Sequence, residues 1–277
     1  MDKDPFHIKV IRYSVILVMT IWSAVPVYFA VASSFKPPRD IFSVPPTFIF
    51  QPTLESYEQL FTLWPTFTDA MLNSLVIAVG TTLLTVVSAS LAGYVFSRYQ
   101  SRVLSGAAIF TLLIRMLPPI IITLPLFPVV NALRLNDTHI LLIVIYATFQ
   151  LSFATWIMKA FIDAVPKELE EAALIDGAGT ASILLRVIMP LAVHGMIVAA
   201  TFAFIASWNE FLFAYVFSST RARTAPLILS QMLATESNVE WGVLFAGTSI
   251  QLIPVIVLVL ALQRFIIAGL TAGGVKG

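Results

Sequence analysis

The chain has 277 residues, 58 % of them hydrophobic and only 11 % charged, with a mean hydropathy of +0.92. That is too apolar for an ordinary water-soluble domain and places the protein in a bilayer. A net charge of +1 gives no reason to expect nucleic acid, zero cysteines exclude disulfides, thiolate metal sites and cysteine nucleophiles, and three scattered histidines suggest no metal centre.

Residues 1–12 are short and polar, with Lys3, Lys9 and Arg12 ahead of the first apolar run at about 13–35. Ala30-Val31-Ala32 would suit a signal-peptide processing site. The run is longer than the roughly 7–15 residues of a signal core, however, and reads as a span. Residues 36–69 are rich in proline and aromatics, too polar to span and too apolar for a free linker. They predict short helices and extended pieces at the interface.

A second span covers about 70–96, with Arg98 and Arg102 at its end. The third, about 104–130, holds Pro118, Pro119, Pro125 and Pro128 and must be kinked or broken. Backbone freed at membrane depth is tolerated only inside protein or beside a water-filled path, so this helix either lines a pathway or is simply kinked. A polar turn at 131–138 leads to a fourth span at about 139–161.

Then comes a charged interval, residues 163–190, DAVPKELEEAALIDGAGTASILLRVIMP. Pro166 suits the first position of a helix, and Glu168, Glu170 and Glu171 complement its positive end. Gly177 and Gly179 supply the stop. At helical spacing Leu169, Ala172 and Ala173 fall on one side, and Leu174, Ile175 and Ala178 on the other, with Glu171 in the middle of the second. A short helix apolar on two sides predicts that something clasps it. A fifth span follows at about 191–217, residues 218–241 leave the membrane, and a sixth span covers about 242–266. The tail, 267–277, is glycine-rich and basic.

Six spans put both ends on one side. That side carries Lys3, Lys9, Arg12, Arg98, Arg102, Lys159, Lys167, Arg186, Arg264 and Lys276. The other carries Lys36, Arg39, Arg134, Arg221 and Arg223, and Arg115 lies within a span. The excess of cations predicts that both termini and the 163–190 interval are cytoplasmic.

Three stretches carry a family likeness. Glu171-Ala172-Ala173, Gly177 three residues on, and Val187-Ile188-Met189-Pro190 nine residues further resemble the E-A-A-x3-G-x9-I-x-L-P loop of bacterial ABC importer permeases, with valine for isoleucine and methionine for leucine. The external segment T-L-E-S-Y-x-x-L-F, from Thr53, resembles that of sugar-type permeases, and the tail Gly269 to Gly277 resembles that of the smaller, maltose-type carbohydrate permease. The likeness covers essentially the whole chain. It implies an all-α integral membrane fold of the type I importer class, a single six-helix permease domain over residues 1–277, and a cytoplasmic coupling helix. Leu169, Glu171, Ala172, Ala173, Asp176 and Gly177 would dock in a groove of an ATP-hydrolysing subunit, and Gly273, Gly274, Val275 and Lys276 would reach into the ATPase dimer. It further implies a second, homologous permease subunit, two ATPase subunits and an extracytoplasmic solute-binding protein, all at a bacterial inner membrane in contact with lipid.

The residues themselves add limits. No G-x-x-x-x-G-K-[ST] loop occurs, since no glycine precedes a lysine, so ATP and its Mg belong to the partner and this chain needs no cofactor of its own. No serine, histidine and acid cluster suggests a hydrolase, so no catalytic residues are assigned. Arg115 lies deep in IFTLLIRMLPPIII, where charge is expensive and marks either a site or a buried pair. Glu210, in SWNEFLF, is its acidic counterpart, and Arg115 is expected within reach of Glu210, of an acid on a partner chain or of the solute. Trp208 and Asn209 suit sugar rings through CH–π stacking and hydrogen bonding, or serve packing alone. Arg115, Pro118, Pro119, Trp208, Asn209 and Glu210 are therefore the pathway candidates. The alternative is an ion-coupled secondary transporter with Arg115 and Glu210 as relay.

Overall fold

The computed structural model describes residues 5–234 and 239–272, with side chains described to Phe265. Every regular element among the described residues is helical. Four helices are long and apolar enough to cross a membrane unbroken: α1 (Phe6–Ser34), α3 (Phe67–Arg98), α6 (His139–Asp163) and α13 (Trp241–Ala272). Between the first two lie a 3-10 turn at Pro38–Asp40 and the short α2 (Glu55–Leu63).

Two further runs are bent pairs. In the first, α4 (Arg102–Arg115) and α5 (Pro119–Ala132) meet at 98°. Only the first two of the four prolines break the run. A residue before proline is pushed out of the helical region, and Leu117 and Pro118 both precede one. Pro125 and Pro128 sit inside α5. In the second pair, the segment Thr180–Leu191 turns 78° into α10 (Val193–Trp208) at the fully buried Ala192. That segment contains α8 (Thr180–Ile183), a π-helical turn at Leu184–Ile188 and α9 (Met189–Leu191). Pro190 cannot donate to the carbonyl of Arg186, which fits the wider turn just before it.

The run expected at 191–217 is itself interrupted at 209–211 and resumes as α11 (Leu212–Phe217), with α12 (Ala225–Leu233) beyond. The charged interval begins with α7 (Glu168–Ile175), whose N-cap is Lys167, so Pro166 precedes the helix rather than opening it.

The chain divides into two compact units, Met1–Thr68 with Leu229–Ile253, and Asp69–Ile228 with Pro254–Gly277. In the first, Leu60 is fully buried, Phe29 meets Phe245 edge to face at 5.7 Å, and the Ser34 and Tyr57 hydroxyls are 2.8 Å apart. In the second, α6 is central. A Cβ on Gly93 would stand 2.8 Å from Met158 Cβ, and one on Gly195 would stand 2.6 Å from the Phe161 ring, so glycine sets how closely α3 and α10 approach α6. Ala89, Met158, Ile162, Ile183 and Ile188 form an apolar cluster there. It anchors the Thr180–Leu191 segment, and Ala173, Ala178, Val187 and Met189 pack against it.

Candidate functional site

The exposed surface of α7 is built by a helix too short to be stable alone. Its stop is a Schellman motif. Gly177 takes φ +81°, its N–H donates to the carbonyl of Leu174 at 3.0 Å, and the Ala178 N–H donates to Ala173 at 2.9 Å. Gly179 is in ordinary extended geometry and caps α8 instead. Leu169, Glu171, Ala172, Leu174, Ile175, Asp176 and Gly177 are exposed, and Ile175 is 87 % so. Ala173 faces inward, which corrects the expected division of sides: the helix has one buried stripe and presents the rest. Beside Leu169 lies a groove of about 410 Å3 lined by Phe161, Val165, Pro166, Leu191 and His194.

The inward anchor of α7 is Glu170, only 9 % exposed, which sequence reasoning treated as one more dipole-complementing acid. Its Oε1 accepts from Arg98 Nε, and its Oε2 accepts from the Tyr94 hydroxyl at 3.2 Å. The same guanidinium donates to the carbonyl of Val165 at 2.9 Å and to Ser97 Oγ at 3.0 Å. Ser97 donates in turn to Asp163 Oδ1 at 2.6 Å, and Lys159 Nζ is 2.6 Å from Asp163 Oδ2. Both charges of the enclosed Arg98–Glu170 pair are therefore compensated, while Asp163 and Lys159 pair nearer the surface.

The membrane-depth candidates are not brought together as expected. Among the described residues no ion pair joins Arg115 to Glu210. Arg115 ends α4 at the bend, exposed, with its guanidinium carbon 4.7 Å from the centroid of Phe153. Pro118 caps α5 and Pro119 opens it. Inside the bend lies a largely apolar cavity of about 250 Å3, lined by Arg115, Ile122, Leu126, Thr148, Phe149 and Ser152. Ser152 donates to the carbonyl of Thr111, fastening α4 to α6.

Glu210 has a local role. Its carboxylate accepts from the N–H of Phe213 at 3.0 Å and of Ala214 at 3.4 Å, capping α11 where the run is interrupted. Trp208 is 1 % exposed and stacks on Phe204 at 5.7 Å, as a packing residue does. Asn209 is exposed and donates to the Ile205 carbonyl at 2.9 Å. Gly273, Gly274, Val275 and Lys276 lie outside the described residues.

A further group escaped the sequence reading. Asp137, at φ +58°, accepts from the backbone N–H groups of Ser219, Thr220, Arg221 and Ala222 at 2.9–3.1 Å, and from the Thr220 hydroxyl at 2.7 Å. Burial opposes its ionisation. The N–H groups of Arg221, Ala222 and Ser219, with the Thr220 hydroxyl, outweigh that and hold the carboxyl well below the usual range. Asn73 adds bonds to the carbonyls of Arg221 and Arg223 at 2.8 and 2.9 Å, and lies 2.7 Å from His139 Nε2. The signal was an acid in the turn at 131–138 facing a serine- and threonine-rich loop, but nothing in one dimension pairs the two.

Residues 85–271 match the family described as binding-protein-dependent transport system inner membrane component. The chain is 34 % identical, over 91 % of either chain, to the inner membrane ABC transporter permease protein YcjP of Escherichia coli (strain K12). It is 37 % identical to the trehalose transport system permease protein SugB of Mycobacterium tuberculosis (strain CDC 1551 / Oshkosh), covering 92 % of this chain and 93 % of that one. In fold it is similar to a chain of a bacterial ABC transporter involved in import of the acidic polysaccharide alginate, with a TM-score of 0.73, 18 % identity, and coverage of 95 % and 98 %.

Proposed function

This chain belongs to the family of binding-protein-dependent transport system inner membrane components, and from that premise we propose that it is one of two related permease subunits of an importer for a sugar, polyol or sugar derivative. It is an all-helical, multi-pass inner-membrane permease of the ABC class. Its partners are an ATPase and a solute-binding protein. The finer composition, two ATPase copies and a second permease among lipid, extends that reading. The carbohydrate class is supported by relatives named for transport of trehalose, of trehalose and maltose, and of diacetylchitobiose.

The observation that carries the coupling reading is the two-faced α7, pinned inside by Glu170 and open outside at Glu171, Ala172 and Ile175. An exposed carboxylate flanked by apolar side chains suits a groove with a basic residue in it. ATP binding would draw the ATPase halves together and carry α7 with them, turning the cavity between the permeases outward, and hydrolysis would reset it. ATP and Mg sit in the partner, since the sequence offers no phosphate loop here. The bend at Pro118-Pro119 with Arg115 remains the pathway candidate in this chain. Arg115 and Glu210 as a proton relay find no support, because their side chains are committed elsewhere.

In this reading both termini and α7 are cytoplasmic, as the lysine and arginine distribution favours. With no native cysteine, Ser219→Cys should react with an impermeant thiol reagent on intact cells and Ala181→Cys only in inverted vesicles. The reverse pattern would remove α7 from the ATPase side. Glu171→Ala should abolish uptake of the solute, found by screening the binding protein against sugars and polyols, while leaving complex yield near normal. Unchanged uptake would sink the docking assignment.

A further inference from the structure

The exposed face of α7 explains where a partner pushes, but not how the push reaches the membrane helices. α7 is eight residues long and is stopped two residues on by Gly177, where nothing lies within 4 Å of a would-be side chain. Its apolar anchorage is slight: Ala173, and Ala178 just beyond it, are the residues of this stretch that touch the core. Two small side chains let a helix slide or roll under load.

What resists sliding is polar and directional. Arg98 is the last residue of α3, and its fork is committed on three sides, to Glu170 of α7, to the Val165 carbonyl just past α6, and to Ser97 of α3. Ser97 passes the connection to Asp163 and so to Lys159 at the end of α6, while Tyr94, one turn back on α3, holds the other oxygen of Glu170. A planar guanidinium satisfied in this way fixes register and orientation, which alanine contacts do not. Shifting α7 by one turn would leave a charge buried and unpaired.

We infer that the Arg98–Glu170 clasp makes α7 one rigid body with the ends of α3 and α6, so that partner-driven displacement of α7 is transmitted to α3 instead of being absorbed at the loop. Arg98, Glu170 and Tyr94 are positioning residues in this scheme and touch neither solute nor nucleotide. The inference rests on the docking of α7 to an ATPase and adds what lies behind the docked face.

The test uses the whole complex, with its ATPase subunits, in lipid nanodiscs. Spin labels at Glu168→Cys, the exposed first residue of α7, and Leu91→Cys report the separation of α7 and α3 against a cysteine-free background. The expected result is one narrow distance that does not move when Mg2+ and a non-hydrolysable ATP analogue are added. In Glu170→Gln and in Arg98→Gln that narrow distance should be lost. Arg98→Lys, which keeps the charge but not the fork, should give a partial loss even if the glutamine variants assemble poorly. The exchange Arg98→Glu with Glu170→Arg should regain a narrow distance. A wild-type distance that shifts with the analogue, or an Arg98→Lys distance as narrow as wild type, would overturn the clasp. The docking reading fails separately: Glu171→Ala would then leave uptake and stimulation of the ATPase unchanged, whatever the distances do.

Discussion

Glu170 and Asp137 are both carboxylates that hold a loop outside the long helices, and they do it by opposite means. Glu170 is sequestered under α7 and answered by a guanidinium. Asp137 is only partly buried and is answered by four successive peptide N–H groups, a nest of dipoles with no cation in it. The loops they fix lie toward opposite ends of α3, because Asn73 touches the Asp137 loop and Arg98 touches α7. The 25 residues from 73 to 98 span about 37 Å of helix. The difference is one of failure. Strip the acid from a buried ion pair and a charge is stranded. Strip it from a nest at the surface and water takes the N–H groups back.

That contrast can be broken most forcefully at Glu170. Glu170→Ala should cost about 3–5 kcal/mol, because Arg98 is left charged and enclosed. Thermal unfolding in detergent reads the loss, and replacing both partners by methionine should recover most of it. A double variant no better than the single would mean that the pair is not the source. Asp137→Ala comes next, at roughly 2 kcal/mol, since the N–H groups of the exposed Ser219, Thr220 and Arg221 regain solvent while that of the buried Ala222 is left unpaired. Amide hydrogen exchange should speed up at residues 219–222 and stay unchanged in α7. Exchange spreading to α7 would erase the distinction between the ends.

Smaller again is Gly177→Val, at about 1–2 kcal/mol, from backbone strain alone, because the position is left-handed with open space around it. Limited proteolysis after Asp176 should report the loosened stop. Glu171→Ala, next door to Glu170 but exposed, should change stability by under about 0.5 kcal/mol while removing transport. A large stability loss there would blur the two glutamates into one role.

The smallest effect is a null. A carboxyl held below its ordinary range contributes stability that is complete above the unfolded value, about 3.9 for aspartate, and is lost only as pH falls through the depressed folded value. The Asp137 loop should therefore keep its exchange protection unchanged across about pH 5 to 8, after correction for intrinsic rates. Protection that falls between those limits would show that the nest is not the anchor.

The sequence alone settled the membrane class from hydropathy and the stop of α7 at Gly177, because composition and short-range helix chemistry are local properties, whereas its start, expected at Pro166, falls at Glu168. That the third span is broken was legible for the same reason, as proline acts on its own neighbours, but which of its four prolines breaks it was not. Tertiary structure decided which glutamate is buried and which is offered. The E-A-A likeness already assigned Glu171 to the docking side, but nothing in one dimension marked Glu170 as the buried anchor, and the helix is too short for periodicity to do so. It also decided that Arg115 and Glu210 do not pair, because the bend after Arg115 and the interruption at 209–211 redirect both side chains. The partners of Asp137 lie about eighty residues away in the chain. Side chains meet across such distances only once the helices between them are packed, and no local rule contains that information.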